Sequence, residues 1–174
     1  YVYQGTEPVD AEDPLHGLGG SAFLQVLHEQ KTGTPSRCNL ETERTLGTTL
    51  LGLIQTGIIM SAHDCAEGGL AVALAECCIS QLTARNTPQL TGASLGLGEL
   101  GVARVDALLF GESHGRVVIT TSEAEAGAAI ERAKLLGVTA ARIGTVTGGD
   151  TLDIAVGDTH FSWELNELHD VWWN

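Results

Sequence analysis

Ser61-Ala62-His63-Asp64-Cys65-Ala66-Glu67-Gly68-Gly69-Leu70-Ala71-Val72-Ala73-Leu74-Ala75-Glu76 places a polar His-Asp pair and a glycine doublet directly before an apolar helical run. With Ile58-Ile59-Met60 ahead of it as a short buried strand, the stretch reads as strand, polar turn and helix. The first N–H groups of a helix have no partner within it and sit at the positive end of its dipole, so such a junction can receive an anion or hold a metal. Asp64 reads as the N-cap, Glu67 as its partner in an Asp-x-x-Glu variant of the capping box, and Gly68 and Gly69 as open space for close approach. The same residues also read as a cap and a glycine packing surface with no ligand, and the local sequence leaves both readings open.

Outward from this junction, 2–4 reads as a short strand, and 5–20, with Pro8, Pro14 and four glycines, reads as loop. Ser21 caps a short helix to about 30. Asn39 caps a longer one to about 56, ended by Gly57, with Leu40, Leu46, Leu50, Leu53 and Ile54 as its apolar stripe. The helix after the doublet runs to about 80, with Leu70, Leu74 and Cys77 on one face. Asn86-Thr87-Pro88 breaks the chain, 91–97 alternates like a strand, 105–110 reads as a short helix, and Arg116-Val117-Val118-Ile119-Thr120-Thr121 is the clearest strand. Ser122 caps a helix over 123–136 that starts with Glu123 and Glu125 and stops at Gly137. Strands follow at 140–146, 151–156 and 160–161, with Gly148-Gly149-Asp150 as a hairpin-like turn between the first two, and 163–174 reads as a terminal helix. Helices and strands in this order predict an α/β sandwich on a mixed sheet, as a single domain over 1–174.

The 174 residues, 43% of them hydrophobic, are enough to bury one core. Nine basic residues stand against 22 acidic ones, giving a formal charge of −13. Arg37, Arg44, Arg85, Arg104, Arg116, Arg132 and Arg142 are scattered, which argues against nucleic acid and anionic membrane surfaces as partners. No apolar stretch reaches the roughly 18 to 20 residues needed to cross a bilayer. Cys38, Cys65, Cys77 and Cys78 form no Cys-x-x-Cys pair, which argues against a structural zinc site. With no secretory leader in the sequence, they read as buried reduced thiols of a cytoplasmic protein. The sole methionine is Met60, so the chain is expected to be a piece of a longer polypeptide.

Two further clusters carry polar chemistry. In Leu108-Leu109-Phe110-Gly111-Glu112-Ser113-His114-Gly115-Arg116, acid, hydroxyl, imidazole and guanidinium stand before the strongest strand. A local Ser-His-acid triad is disfavoured, because neighbours on an extended chain point in opposite directions. Gly17-Leu18-Gly19-Gly20-Ser21-Ala22-Phe23 is another glycine-rich approach to a helix, readable first as a flexible loop with a serine cap.

Together, Leu18-Gly19-Gly20-Ser21, Ser61-Ala62-His63-Asp64 with Glu67-Gly68-Gly69-Leu70, and Leu109-Phe110-Gly111-Glu112-Ser113 resemble the last domain of the phosphoribosylformylglycinamidine synthase family. This is the purine-pathway amidotransferase of the aminoimidazole ribonucleotide synthetase-related superfamily. The likeness extends to Val2-Tyr3 and to Ile143-Gly144, Val146, Leu152 and Ile154. It implies two pseudo-symmetric halves, each pairing a barrel-forming domain with a C-terminal α/β domain, this chain matching the C-terminal domain of the second half. The family uses ATP and magnesium to activate the amide oxygen of formylglycinamide ribonucleotide, which glutamine-derived ammonia converts to the amidine.

By that resemblance no catalytic residue falls in this chain. In the first half's related domain, an aspartate matching Asp64 binds magnesium, and a Glu-Ser-Gln triplet matching Glu112, Ser113 and His114 contacts substrate; His114 departs from the glutamine. The resemblance thus implies a nucleotide site shared with the neighbouring domain and taking ATP or ADP with magnesium. It is bordered by Gly19, Gly20, Ser21, His63, Asp64, Gly68, Gly69, Glu112, Ser113 and His114, with Asp64 as the metal ligand. The implied partners are the preceding domains of the same enzyme and a glutaminase subunit or domain. The alternatives are a non-catalytic interaction module whose polar clusters are caps, and a domain of a hydrogenase maturation or selenophosphate-forming relative.

Overall fold

The computed structural model describes residues 2–4, 13–79, 90–100 and 104–173. Along them lie β1 (Val2–Gln4), α1 (Ala22–His28), α2 (Leu40–Gln55), β2 (Ile59–Asp64), α3 (Gly69–Ile79), β3 (Gly92–Gly96) and α4 (Val105–Phe110). There follow β4 (Arg116–Thr121), α5 (Glu123–Leu135), β5 (Thr139–Ala141), β6 (Gly144–Thr147), β7 (Thr151–Val156), β8 (Thr159–Glu164) and α6 (Leu165–Trp173). The chain divides into two compact units, residues 1–73 with 104–142 and residues 74–103 with 143–174, so the division falls within α3. The expected break at Asn86-Thr87-Pro88 and the loop over 5–12 lie outside the described residues.

The first unit is built on β4, whose run of β-branched residues suits a buried central strand. Its sheet has the order β2-β4-β1-β5 and is antiparallel throughout. Leu46 and Leu53 of α2, Ala133 of α5, and Ile59, Val117, Ile119 and Val138 make one buried cluster. The caps expected from sequence are in place. Ser21 Oγ accepts from Leu24 N, Asn39 Oδ1 from Glu41 N and Thr42 N, and Ser122 Oγ from Glu125 N. Each satisfies amides left over at a helix start, worth about 1 kcal/mol apiece.

The second unit holds a four-stranded mixed sheet of order β6-β3-β7-β8, in which β3 runs parallel to β7 and antiparallel to β6. Leu152 and Ile154 of β7 and Leu165 of α6 are almost fully buried. The α/β fold on a mixed sheet is therefore as expected, with the strands shared between two sheets.

Several local readings are corrected. Expected strand 140–146 is two strands in different sheets: β5 pairs with β1, the chain leaves at Arg142-Ile143, and β6 pairs with β3. The Gly148-Gly149-Asp150 turn is no hairpin, because β6 and β7 flank β3 instead of pairing. The hairpin is β7–β8, across Gly157-Asp158, where Gly157 at φ +58 supplies the left-handed first position of a two-residue turn. β8 extends to Glu164, so Trp163 belongs to a strand and not to the last helix. On α2 the buried stripe is Leu46, Thr49 and Leu53, while Leu40 and Ile54 are exposed; the Thr49 hydroxyl is tolerated because it donates to Thr45 O. On α3 the buried residues include Leu70, Ala73, Leu74 and Cys78, with Cys77 exposed. Cys65 is buried as expected of the thiols, whereas Cys38 is exposed.

Candidate functional site

Glu112 ties the three polar clusters together, all within the first unit. α4 ends at Phe110, and the next segment turns back into β4 because the Arg116 guanidinium donates to Leu108 O and Gly111 O. Arg116 is 7% exposed, and burial pushes its pKa down from the usual value. Among the described residues its Nε has no hydrogen-bond partner. The turn so held presents Glu112 Oε1 to two backbone amides, Ala22 N at 2.8 Å and Gly68 N at 2.9 Å. Ser36 Oγ donates to Glu112 O at 3.2 Å. One residue thus fastens the start of α1, the loop before α2 and the turn before α3.

Glycines allow these segments to meet. A Cβ on Gly19 would lie 2.3 Å from Thr34 O, and one on Gly69 2.8 Å from Gly111 O and 2.9 Å from Leu109 O. Beneath them Leu18, Leu24 and Ala107 are buried together, and Phe23 stacks on Phe110 with ring centroids 4.8 Å apart. The glycine-rich stretches are packing surfaces between backbones.

Asp64 does not cap α3. Pairing with β4 continues through Asp64↔Val117, so β2 outruns its apolar triplet and Asp64 ends the strand with an exposed carboxylate. Met60 sits at a register shift between Ile59 and Ser61, and His63 Nδ1 lies 2.7 Å from Asp64 O. The expected capping box with Glu67 does not form: Gly68 at φ +81 and Gly69 at φ +70 keep the chain from entering the helix any earlier. Their amides are engaged as well, Gly68 N by Glu112 and Gly69 N by Ala66 O at 3.1 Å. Ser21 is buried as a cap, Gly20 and His114 are exposed, and Ser113 is half-buried. His114 shares its surroundings with Cys38 and Glu43.

These observations test the fit of a magnesium nucleotide. The exposed Asp64 carboxylate is a hard oxygen donor of the kind magnesium accepts among its waters. The glycine doublet does not offer its own amides, since both already donate within the protein. Sequence reasoning missed Ser36, Thr34 and the bridging of Glu112. The polar cluster at 108–116 and the resemblance both marked Glu112 itself, but neither showed which segments it joins.

The chain matches the family model "AIR synthase related protein, C-terminal domain" over residues 5–157. It is 38% identical to the phosphoribosylformylglycinamidine synthase subunit PurL of Thermomicrobium roseum over 91% of this chain and 20% of that protein. It is 36% identical to the PurL subunit of Synechococcus elongatus over 95% of this chain and 21% of that one. The chain thus spans about a fifth of the length of the curated relatives it matches. In fold it is similar to Thermotoga maritima PurL complexed with FGAR, at TM-score 0.68 and 20% identity over 97% of this chain and 27% of that one. T. maritima PurL complexed with ATP gives 0.64 at 18% identity over 97% and 25%. The resemblance read from the three motifs is borne out, and the chain belongs to the family of AIR synthase-related C-terminal domains.

Proposed function

We propose that this chain is the single C-terminal α/β domain of the second half of a cytoplasmic phosphoribosylformylglycinamidine synthase, inactive by itself. In the whole enzyme it would help to convert formylglycinamide ribonucleotide and glutamine-derived ammonia to the amidine at the expense of ATP. The observation that carries this reading is the meeting of all three family motifs at Glu112, which joins Ala22 N, Gly68 N and Ser36. Asp64 would hold magnesium, bordered by His63 and, across the Glu112 turn, by Gly19, Gly20, Ser21, Ser113 and His114. Glu112, Gly68 and Gly69 would act by shaping the turn. Bound there, Mg-ATP or Mg-ADP would supply phosphate charge for the metal to neutralise. The preceding domain would complete the site, and a glutaminase subunit or domain would supply ammonia; the T. maritima PurLQS assembly, similar in fold at TM-score 0.59 and 20% identity over 87% of this chain and 25% of that one, supports a multi-part enzyme.

Mutual satisfaction of Glu112 and the two amides favours a second reading, a domain that serves as an interaction module. Calorimetric titration of Mg-ATP and Mg-ADP separates the two, using this chain and a longer polypeptide carrying the preceding domain. Binding in the longer polypeptide alone, lost in Asp64→Ala, is the expected result. Binding indifferent to Asp64→Ala would sink the assignment of the metal ligand, and no binding in either would leave the interaction module.

A further inference from the structure

Cys38, Glu43 and His114 come together in the first unit, their sulfur, carboxylate oxygen and imidazole nitrogen all within 4.8 Å of one another. Two of the three are placed by the start of α2. Asn39 is the N-cap, so Cys38 immediately precedes it and Glu43 is the fourth helical residue, positions whose side chains meet across a helix start and ordinarily hold an apolar pair. Here both are metal-ligating types. The third arrives on another segment: Ser36 donates to Glu112 O, which holds the loop ahead of α2 against the turn that carries His114.

We propose that Cys38, Glu43 and His114 bind one divalent ion of the zinc class, with water as the fourth ligand. A thiolate, an imidazole and a carboxylate match the mixed sulfur, nitrogen and oxygen donors of four-coordinate zinc sites, whereas magnesium takes oxygen alone. The cluster is thus chemically distinct from Asp64, and the proposal goes beyond the nucleotide reading without depending on it. Bonds of about 2.0 to 2.3 Å to a shared ion bring tetrahedral ligands to roughly 3.3 to 3.8 Å from one another, so groups within 4.8 Å need close by at most about 1 to 1.5 Å. Cys38 and His114 are exposed, and a change of rotamer moves a side-chain tip by that much. On binding, a sulfur–metal bond replaces a metal–water bond, and the Cys38 thiol proton leaves to solvent with no change of oxidation state. The ion would clamp the loop before α2 to the Glu112 turn. No Cys-x-x-Cys spacing announces it, because the set has a single cysteine and its histidine comes from a segment far along the chain.

Cobalt(II) titrated into the reduced, metal-free chain, followed by absorption and then displaced by zinc, tests the site. We expect a thiolate-to-cobalt charge-transfer band that zinc abolishes. Cys38→Ser should remove the band and weaken zinc binding by at least about tenfold, the scale on which even supporting residues of metal sites act. His114→Ala should weaken zinc binding similarly, and Cys77→Ser, at the other exposed cysteine, should change nothing. All three substitutions are at exposed positions, and circular dichroism checks that the fold is kept. Absence of a thiolate band, its survival in Cys38→Ser, or its loss in Cys77→Ser would overturn the proposal.

Discussion

The glycine-rich approaches to α1 and α3 look alike in sequence and are built differently. At α1 the chain supplies its own cap: Ser21 Oγ accepts from Leu24 N. Just upstream, Asp13 accepts from Leu15 N and Gly17 N. At α3 the amide of Gly68 is satisfied by a carboxylate 44 residues further along the chain, and Gly69 presses on the backbone leaving α4. Both starts share Glu112, which also accepts from Ala22 N, but α1 has a local cap besides, whereas the turn into α3 has only the distant carboxylate to satisfy Gly68 N.

The difference is exposed most strongly by Gly69→Ala. Its φ of +70 disfavours any side chain, and the added Cβ would meet Gly111 O, Leu109 O and Phe110 C, all backbone within 2.9 Å. Positional strain and overpacking together predict a loss of about 3 kcal/mol in urea unfolding. Gly19→Ala carries no penalty from a positive φ, but its Cβ would lie within 2.9 Å of Thr34 O, N and C, backbone that must shift, so about 2 kcal/mol is expected. If Gly19→Ala costs as much as Gly69→Ala, the two starts are equally dependent on distant contacts and the contrast fails.

Next comes Glu112. Glu112→Ala strips the acceptor from Ala22 N and Gly68 N together and should cost about 2 kcal/mol, whereas Glu112→Gln keeps an oxygen there and should cost under about 1 kcal/mol. Amide hydrogen exchange sharpens the test: in Glu112→Ala the protection of Gly68 should fall further than that of Leu24, which has its own cap. Ser21→Ala, by comparison, should cost about 0.5 to 1 kcal/mol at the weak end of capping, its bond to Leu24 N being 3.4 Å long. Loss of protection at Gly68 in Ser21→Ala equal to that in Glu112→Ala would contradict the local reach of the Ser21 cap.

The same divide marks what the sequence makes legible. Helix starts governed by the next three residues, at Ser21, Asn39 and Ser122, are readable because cap and amide lie in one short window. So is β4, whose side chains declare a buried strand. What fails depends on partners. β2 runs on to Asp64 because β4 continues to pair with it, and 140–146 splits because its two ends belong to different sheets. Gly157-Asp158 is itself a local hairpin signal, but the glycine doublet at 148–149 is as strong a one, and only the pairing of β7 with β8 decides between them. Of the site, the motifs were visible while their junction at Glu112 was not, since a carboxylate that reaches Gly68 and Ala22 leaves no periodicity in the chain. Asp64 reads as a cap for the same reason: local rules place a cap before a glycine doublet, and only the positive φ of both glycines moves the helix start to Gly69.

The smallest expected effect isolates the local start by pH. The Asp13 carboxylate is held below its ordinary 3.8 by the backbone bonds from Gly17 and Leu15, with His16 adding a favourable charge. A depressed carboxylate stabilises the folded state fully above its unfolded pKa and loses that contribution as pH falls through the folded value. Because Asp13 is open to solvent, the contribution should be only a few tenths of a kcal/mol, on the order of 0.3. Comparing urea midpoints of the native sequence and Asp13→Ala from pH 7 downward should give a constant gap to about pH 4 and a narrowing one below it. The Gly68 amide should show no response to Asp13→Ala at any of these pH values, because its partner is Glu112. A gap that stays constant to pH 3 would mean that the turn at 13–17 is held by something other than this carboxylate, and a loss of Gly68 protection in Asp13→Ala would mean that this turn reaches the start of α3 as well as that of α1.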